Sequence, residues 1–516
     1  MQDEDIMAIQ SAVKVQMRKY LSGVSLFDIA SFDWLQKLLS SVLKAVAEAI
    51  VESWQETLLK LSKELTLECP SCGRKRAWKW RRGRKLKVSL VGLNVELPQP
   101  LVECDHCETK GLNVMKILTG LSSGDSSTEL ELLIARRGVQ DTYGRASREM
   151  KAHHGQDIER TKIRRKGLVI EQEAVEFAEQ RRTRMETTSL PAKGPEKLLI
   201  EADGGSVRTG IMAPCEDGDP GYGKKTEKRG LPRRKKNIQN REMITMDIRA
   251  PGEMEPRALD VMVPVLSPPG ERSRLMTTMA ARAGAADNTT MRGLGDMGSG
   301  LARAFEGAFP DNKSYWAADW KHITDYVANA CKVLTDFDIT SWIEQMHDAL
   351  WQRHKSMSDY LLSQAFGHLK LPMPEGTEKC PLHALQTYIN NNWKFFRSKQ
   401  MRAEGLTFIS ARAENQVRER IRKRFGGPGT WLEENIGPKA TLMAIIDEGS
   451  FTEFTEWLHR KRANEYRKRL LDRLENAVRQ SQWPKPLKHL AVNAQSDGKH
   501  VRPNPTENLN EESIAA

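Results

Sequence analysis

Lys197-Leu198-Leu199-Ile200-Glu201-Ala202-Asp203-Gly204-Gly205 is the stretch whose reading decides the fold. A short apolar run that ends in an acid and two glycines reads as a buried strand delivering a carboxylate to a sheet edge. From about Pro191 onward, strand-like and helix-like segments alternate, as in an α/β domain. A second run, Thr290-Met291-Arg292-Gly293-Leu294-Gly295-Asp296, also ends in an acid, with Gly298 close behind. Two strand-end acids can project from one edge of a sheet, and the glycines allow close approach by DNA or metal. A third acid, Glu414, opens a helical stretch running to Arg420. Two divalent ions about 3.5–4 Å apart, held by such acids, activate a water and stabilise the leaving oxygen in phosphodiester cleavage. Read singly, each acid also fits a plain role. A strand-end Asp caps turns, and Glu414 suits the first turn of a helix.

Upstream, Cys69-Pro70-Ser71-Cys72 and Cys104-Asp105-His106-Cys107 form two C-x-x-C knuckles with 31 residues between them. Four thiolates from two knuckles complete one tetrahedral zinc site, and a hairpin between them makes a zinc ribbon. Such a site is structural, because no coordination position stays open. His106 reads as a bystander. The β-like runs Ala77 to Trp80, Leu86 to Leu90 and Val95 to Leu97 lie between the knuckles. This loop carries Arg81 and Arg82 among other cations, interleaved with Trp78 and Trp80. Cations attract phosphates, and aromatic rings stack on bases or brace the ribbon.

Other basic clusters follow. Residues 129–150 and 157–180 read as helices, and Asp157 to Lys166 reads as a recognition helix capped by Asp157, with Lys162, Arg164 and Arg165 reaching DNA. Cys215 to Gln239 reads as a long loop whose Arg233, Arg234, Lys235 and Lys236 clamp DNA or form a solvated charge run. Residues 335–404 are Trp-rich and helical, and 453–480 form a charged helix.

The chain has 516 residues, which suggests about three domains on a prior of roughly 150 residues each. Lys plus Arg is 80 and Asp plus Glu is 68, so the formal net charge is +12. That balance favours a polyanionic partner. No uncharged apolar run approaches the length of a membrane span; Val42 to Trp54 is broken by Lys44, Glu48 and Glu52. The opening Met1-Gln2-Asp3-Glu4-Asp5 is acidic where a signal peptide is basic. Seven cysteines in so long a chain do not make a disulfide scaffold. A reducing cytosol is expected.

Four places together resemble a prokaryotic DDE insertion-sequence transposase with an N-terminal zinc ribbon, related to Mutator-type transposases. They are Glu201-Ala202-Asp203-Gly204; Gly295 to Leu301 followed by Phe305 and Phe309-Pro310; Asp319-Trp320-Lys321-His322; and Tyr388 to Trp431, with Asn390-Asn391-Asn392, Ile409-Ser410, Glu414 and Gly429-Thr430-Trp431. Met297 stands where the family usually has Gly, and Ala411 and Ala413 where Gly and Val are usual.

The resemblance implies an RNase H-like catalytic domain, with strands near 197–203, 243–249, 258–264, 288–296 and 314–319. It implies that 191–322 with 409–452 make up this domain and that 323–408 is a helical insertion; residue patterns supply the rest, with 1–66 a helical segment that packs on its own core or meets a partner, 67–110 the zinc ribbon, 111–190 a helical, helix-turn-helix-like DNA-binding region, 453–482 a basic helix and 483–516 a polar, disordered tail. Asp203, Asp296 and Glu414 are then the catalytic acids, holding two Mg²⁺ or Mn²⁺ ions, while the four cysteines hold Zn²⁺. Asp319 is a rival for the second acid, or an N-cap of the next helix. His322 contacts the scissile phosphate or flanking DNA, or is simply a buried, hydrogen-bonded histidine. The implied partners are double-stranded DNA, as element ends and target, and a second copy of the chain. The implied reaction is water attack at the element end, then attack of the freed 3′-hydroxyl on target DNA. A catalytically inactive, transposase-derived, sequence-specific DNA-binding protein is the alternative. A resolvase-like nuclease would explain the acids but not the ribbon or the Asp319-to-His322 element.

Overall fold

The computed structural model describes residues 124–215, 234–263, 270–370, 380–426 and 431–479, with scattered residues outside these runs. The chain divides into two compact units: Met1–Ile134 with Gly144–Arg160 and Glu456–Ala516, and Ala135–Tyr143 with Thr161–Thr455.

In the first unit, β1 (Lys79–Arg81), β4 (Leu101–Glu103) and β5 (Leu112–Asn113) form an antiparallel sheet, and β2 (Leu86–Leu90) pairs with β3 (Leu93–Leu97). Alternating apolar and polar residues make this hairpin. Leu86 faces Leu97 and Val88 faces Val95 across the pair, and all four are buried. The strand runs expected between the two cysteine knuckles are therefore present.

Three helices follow: α1 (Thr128–Gln140), α2 (Tyr143–His154) and α3 (Arg160–Thr187). Asp157 does not cap α3, because that helix begins three residues later and Asp157 pairs with Lys151 at 2.8 Å.

The second unit is a mixed α/β structure around a six-stranded sheet. Its strands are β6 (Lys197–Pro214), β7 (Arg234–Arg249), β8 (Ala258–Met262), β9 (Thr290–Gly295), β10 (Tyr315–Ala318) and β11 (Trp431–Leu432). The order is β10-β9-β6-β7-β8, with β11 beside the far end of β6. β6, β7 and β8 are antiparallel neighbours, while β9 and β10 run parallel to β6. The five strands expected from the sequence are all found, and the first two are longer than expected.

The extra length corrects the expected loop between Cys215 and Gln239. From Arg234 the chain is strand, and Lys235 and Lys236 pair with Ala213 and Met212. Its polar side chains hide the strand pattern, yet it pairs with β6 in one unbroken register from Arg234 to Arg249. Residues 216–233, Arg233 included, lie outside the described residues.

From Leu198 to Asp203, β6 is buried on both faces because helices cover both sides there. Leu198, Ile200 and Ala202 enter the main core with Leu275, Met276 and Met279 of α4 (Glu271–Arg282) and Phe305 of α5 (Leu301–Ala308). The same core continues into α6 (Trp320–Cys331), α7 (Ile339–Trp351), α8 (Lys355–Phe366) and α9 (Pro381–Asn392). On the opposite face, Leu199, Leu294, Tyr315 and Ala317 pack with Leu406 and with Met401 of α10 (Ser398–Ala403). Next come α11 (Ala411–Gln416), which continues as a π-helical turn over Val417–Arg422, then α12 (Glu433–Asp447) and α13 (Phe451–Arg479). Glu414 thus sits in the first turn of α11 rather than opening the helix. Among the described residues, no helix is long and apolar enough to cross a membrane.

Candidate active site

Register builds the site. Ala202 on β6 aligns with Gly295 on β9, and Gly295 aligns with Ala318 on β10. The next residue of each strand is an acid: Asp203, Asp296 and Asp319. Three acidic residues therefore lie in register across three adjacent parallel strands about 4.8 Å apart; Asp296 and Asp319 stand at the carboxyl edge of β9 and β10, while β6 runs on to Pro214, so Asp203 lies within its strand and not at the end the sequence suggested. That edge is where open α/β sheets bind ligands. Gly295 permits the close approach, since a Cβ there would lie 2.2 Å from the Ala202 carbonyl oxygen.

Glu414 reaches this edge from α11. Donor atoms of Asp319, His322 and Glu414 all lie within 4.8 Å of one another. Asp319 is fully buried and doubly fixed. Its Oδ1 accepts the Lys321 N–H at 2.9 Å, which caps α6, and its Oδ2 accepts the Ser410 hydroxyl. Ser410 is the N-cap residue of α11 yet spends its hydroxyl on Asp319, not on its own helix. His322 Nε2 is 3.9 Å from Asp319 Oδ2 and is buried with no hydrogen-bond partner among the described residues. It is therefore not the hydrogen-bonded core histidine of the plain reading.

Asp203 lies within electrostatic reach of this group. Burial pushes its carboxyl above the usual range, and the charges of Asp296 and Glu414 push the same way. The Gly204 N–H, 2.7 Å from Oδ1, and His322 oppose the rise. Asp296 accepts the Met297 N–H at 2.6 Å and lines a cavity of about 630 Å³ together with Tyr326 and Tyr388. Asp319, His322 and Glu414 are thus the closest-set group. Asp203 stands beside them, and Asp296 stands at the cavity.

A mixed set of carboxylates and one imidazole suits Mn²⁺ or Mg²⁺ at a partly open site. The orphaned His322 nitrogen and the crowding of negative charge around Asp203 both fit a divalent cation.

Buried polar groups anchor α11 on the sheet, and sequence reading gave them no role. Glu201, two residues before Asp203 and on the same strand face, pairs with Arg249 and accepts the Ala413 N–H. Opposite Glu201, Asp247 accepts the Gln416 side-chain amide. Thr245 Oγ1 donates to Gln416 Oε1 at 3.3 Å. Burial raises the Glu201 carboxyl to about 7, against the pull of Arg249. The period-two spacing of Glu201 and Asp203 was the available signal. Gly205 serves the same contact: a Cβ there would lie 2.9 Å from Val417 and 3.1 Å from Ile421. The second glycine after Asp203 thus makes room for the helix bearing Glu414, while Gly204 makes room for Glu242, 2.9 Å from where its Cβ would lie.

The basic candidates divide. Lys162 is half-buried and Arg164 and Arg165 are exposed, all near the start of α3. Burial, and then the charge of Arg164, lowers the Lys236 ammonium, so these cations from a helix and a distant strand lie close together. Arg81 and Arg234 lie on strands, while Arg82 lies outside the described residues, as do Cys69, Cys104 and Cys107. Of the expected zinc ligands, the described residues include Cys72 alone.

No family profile and no curated protein matches the chain. Among solved structures, the Drosophila P element transposase strand transfer complex aligns with 75% of this chain and 96% of that chain, at 8% identity and a TM-score of 0.23. A TM-score this low does not establish a shared fold.

Proposed function

We propose that this chain is a metal-dependent DNA strand-cleaving and strand-transferring enzyme, a DDE-type transposase on an RNase H-like sheet. The carrying observation is the gathering of Asp319, His322 and Glu414 donors within 4.8 Å at the carboxyl edge of β10, beside Asp203 of β6. The sheet order, three antiparallel strands continued by two parallel ones, supports the RNase H-like reading.

In this reading Asp319, His322 and Glu414 hold a divalent ion, and Asp203 and Asp296 flank it. Bound ions of this kind lower the pKa of a coordinated water and neutralise charge on the departing oxygen. Ser410 fixes the Asp319 carboxyl, so the ligand does not have to be reoriented on binding. Asp247 and Gln416 hold α11, and with it Glu414, against the sheet. Water attack on a phosphodiester leaves a 3′-hydroxyl and a 5′-phosphate, and that hydroxyl then attacks a target phosphodiester. Lys162, Arg164, Arg165, Lys235 and Lys236 are proposed as phosphate contacts, and Cys69, Cys72, Cys104 and Cys107 as structural zinc ligands.

The test is nicking of plasmid DNA carrying the flanks of the chain's own gene, with Mn²⁺ or Mg²⁺. Asp203→Asn and Glu414→Gln should each lower cleavage by a factor on the order of 10³, while DNA affinity changes little. Wild-type cleavage by either variant would sink the site. Binding without cleavage by the wild type would favour the inactive DNA-binding alternative.

A further inference from the structure

The cavity beside Asp296 has no part in the reading above. It is lined by Asp296 and walled by one face of α9, where His383, Thr387 and Asn391 recur every four residues. On the same helix Tyr388 stacks against Tyr326 of α6, with ring centroids 4.2 Å apart and planes 22° apart. Its volume of about 630 Å³ lies within the range of small-molecule sites, roughly 300–1,000 Å³.

Two features define what it takes. Tyr388 is 7% exposed, yet its hydroxyl has no hydrogen-bond partner among the described residues. Leaving such a group unpaired costs about 1–3 kcal/mol, so the site is built for an acceptor. Burial, reinforced by the charges of Asp296, Tyr326 and Asp319, holds this hydroxyl above its ordinary range, so it remains a donor. Among the described residues the lining holds no Lys or Arg and includes Asp296. Those walls repel a phosphate but suit a planar, uncharged ring with hydrogen-bonding edges. Asn391, Thr387 and His383 offer the donors and acceptors that base edges pair with.

We propose that this cavity receives the base and sugar of one nucleotide of the DNA strand adjoining the scissile phosphate, lifted out of the base stack. The proposal rests on the cleavage function and names the part of its substrate that the pocket reads. Enzymes that extrude a nucleotide lose a few kcal/mol of stacking and pairing and recover it in pocket contacts. The Tyr388 hydroxyl and the Asn391 amide would supply such contacts here.

The test uses the full chain and duplexes in which each base flanking the mapped cut is replaced, in turn, by an abasic sugar. Affinity and cleavage are measured separately for wild type, Thr387→Trp, which fills the cavity, and Tyr388→Phe, which removes only the oxygen. One position should be sensitive to base removal in the wild type. That sensitivity should vanish in Thr387→Trp and shrink in Tyr388→Phe. Cleavage by the wild type with no position coupled to Thr387 or Tyr388 overturns the pocket and leaves the cleavage function standing. Coupling in affinity without any cleavage keeps the pocket and overturns the cleavage function. Deoxynucleoside monophosphates form the last arm. If they bind in a Thr387-dependent way while the abasic series shows no coupling, the cavity belongs to a free nucleotide and the strand assignment falls.

Discussion

At the scale of single residues, the site shows how one strand position separates roles. Asp203, Asp296 and Asp319 occupy equivalent register positions, Asp203 within β6 and the other two just past their strands, but their surroundings differ. Asp319 is buried, caps α6 and accepts the Ser410 hydroxyl. Asp296 lines the cavity, and Asp203 is crowded by its neighbours' charges. Both Asp296→Asn and Asp319→Asn should therefore abolish cleavage, but only Asp319→Asn should weaken Mn²⁺ binding without DNA, as read by titration calorimetry. Equal Mn²⁺ affinities would remove Asp319 from the metal group. Glu201 allows a pH test. Its carboxyl rises to about 7 in the fold from a usual value of 4.5. The folded state thus holds its proton longer, so this group's stabilisation is complete below pH 4.5 and is lost as pH rises through 7. The loss is on the order of 3 kcal/mol. Glu201→Gln should shrink the difference in unfolding free energy between pH 5 and pH 8 in urea melts; an unchanged difference would assign the loss elsewhere.

At the scale of elements, α11 carries Glu414, and its seating is a packing problem. Gln416 ties it to Asp247, and Val417 and Ile421 settle into the space that Gly205 leaves open. The π-helical turn that follows Gln416 is a feature often found at functional sites. Gly205→Ala should force the helix outward. The expected cost is about 1–3 kcal/mol in urea denaturation, with weaker Mn²⁺ binding as Glu414 moves. A stable variant with normal Mn²⁺ affinity would show that α11 does not depend on this contact. Lys439 of α12 is a second seating device. It is 1% exposed, donates to the Gly138 carbonyl at 2.5 Å, and lies 4.7 and 4.8 Å from the ring centroids of Tyr143 and Trp431. Burial lowers its ammonium to about 8, against the pull of Glu171 3.9 Å away.

At the scale of the whole molecule, charge and zinc are the tests. The net charge of +12 is spread over several basic clusters, and α3 carries one of them. Replacing Lys162, Arg164 and Arg165 together by Ala should flatten the salt dependence of DNA affinity by about 2–3 logarithmic units of slope. An unaltered slope would take α3 off the DNA. In the N-terminal region, Cys69→Ser with Cys104→Ser should lower bound zinc from about one ion per chain, the stoichiometry of a four-cysteine site, as read by elemental analysis. Unchanged zinc content would exclude the ribbon ligands.

The sequence by itself determined the place of five of the sheet's strands, though not the full length of the first two, the acids that follow β9 and β10, and the helical run between Asp319 and Glu414. These are local facts: apolar runs of strand length, glycines at close approaches and helical periodicity are all written along the chain. Only the tertiary structure decided which acids meet. The register of β6, β9 and β10 puts three Asp residues at equal height, and the seating of α11 decides that Glu414 stands with Asp319 and His322. The roles of Ser410, Gln416 and Asp247, and the unpaired Tyr388 hydroxyl, likewise depend on partners from 91 to 171 residues away or on having none. Sequence periodicity reports which face a residue occupies, but contact across such separations depends on how helices and strands pack.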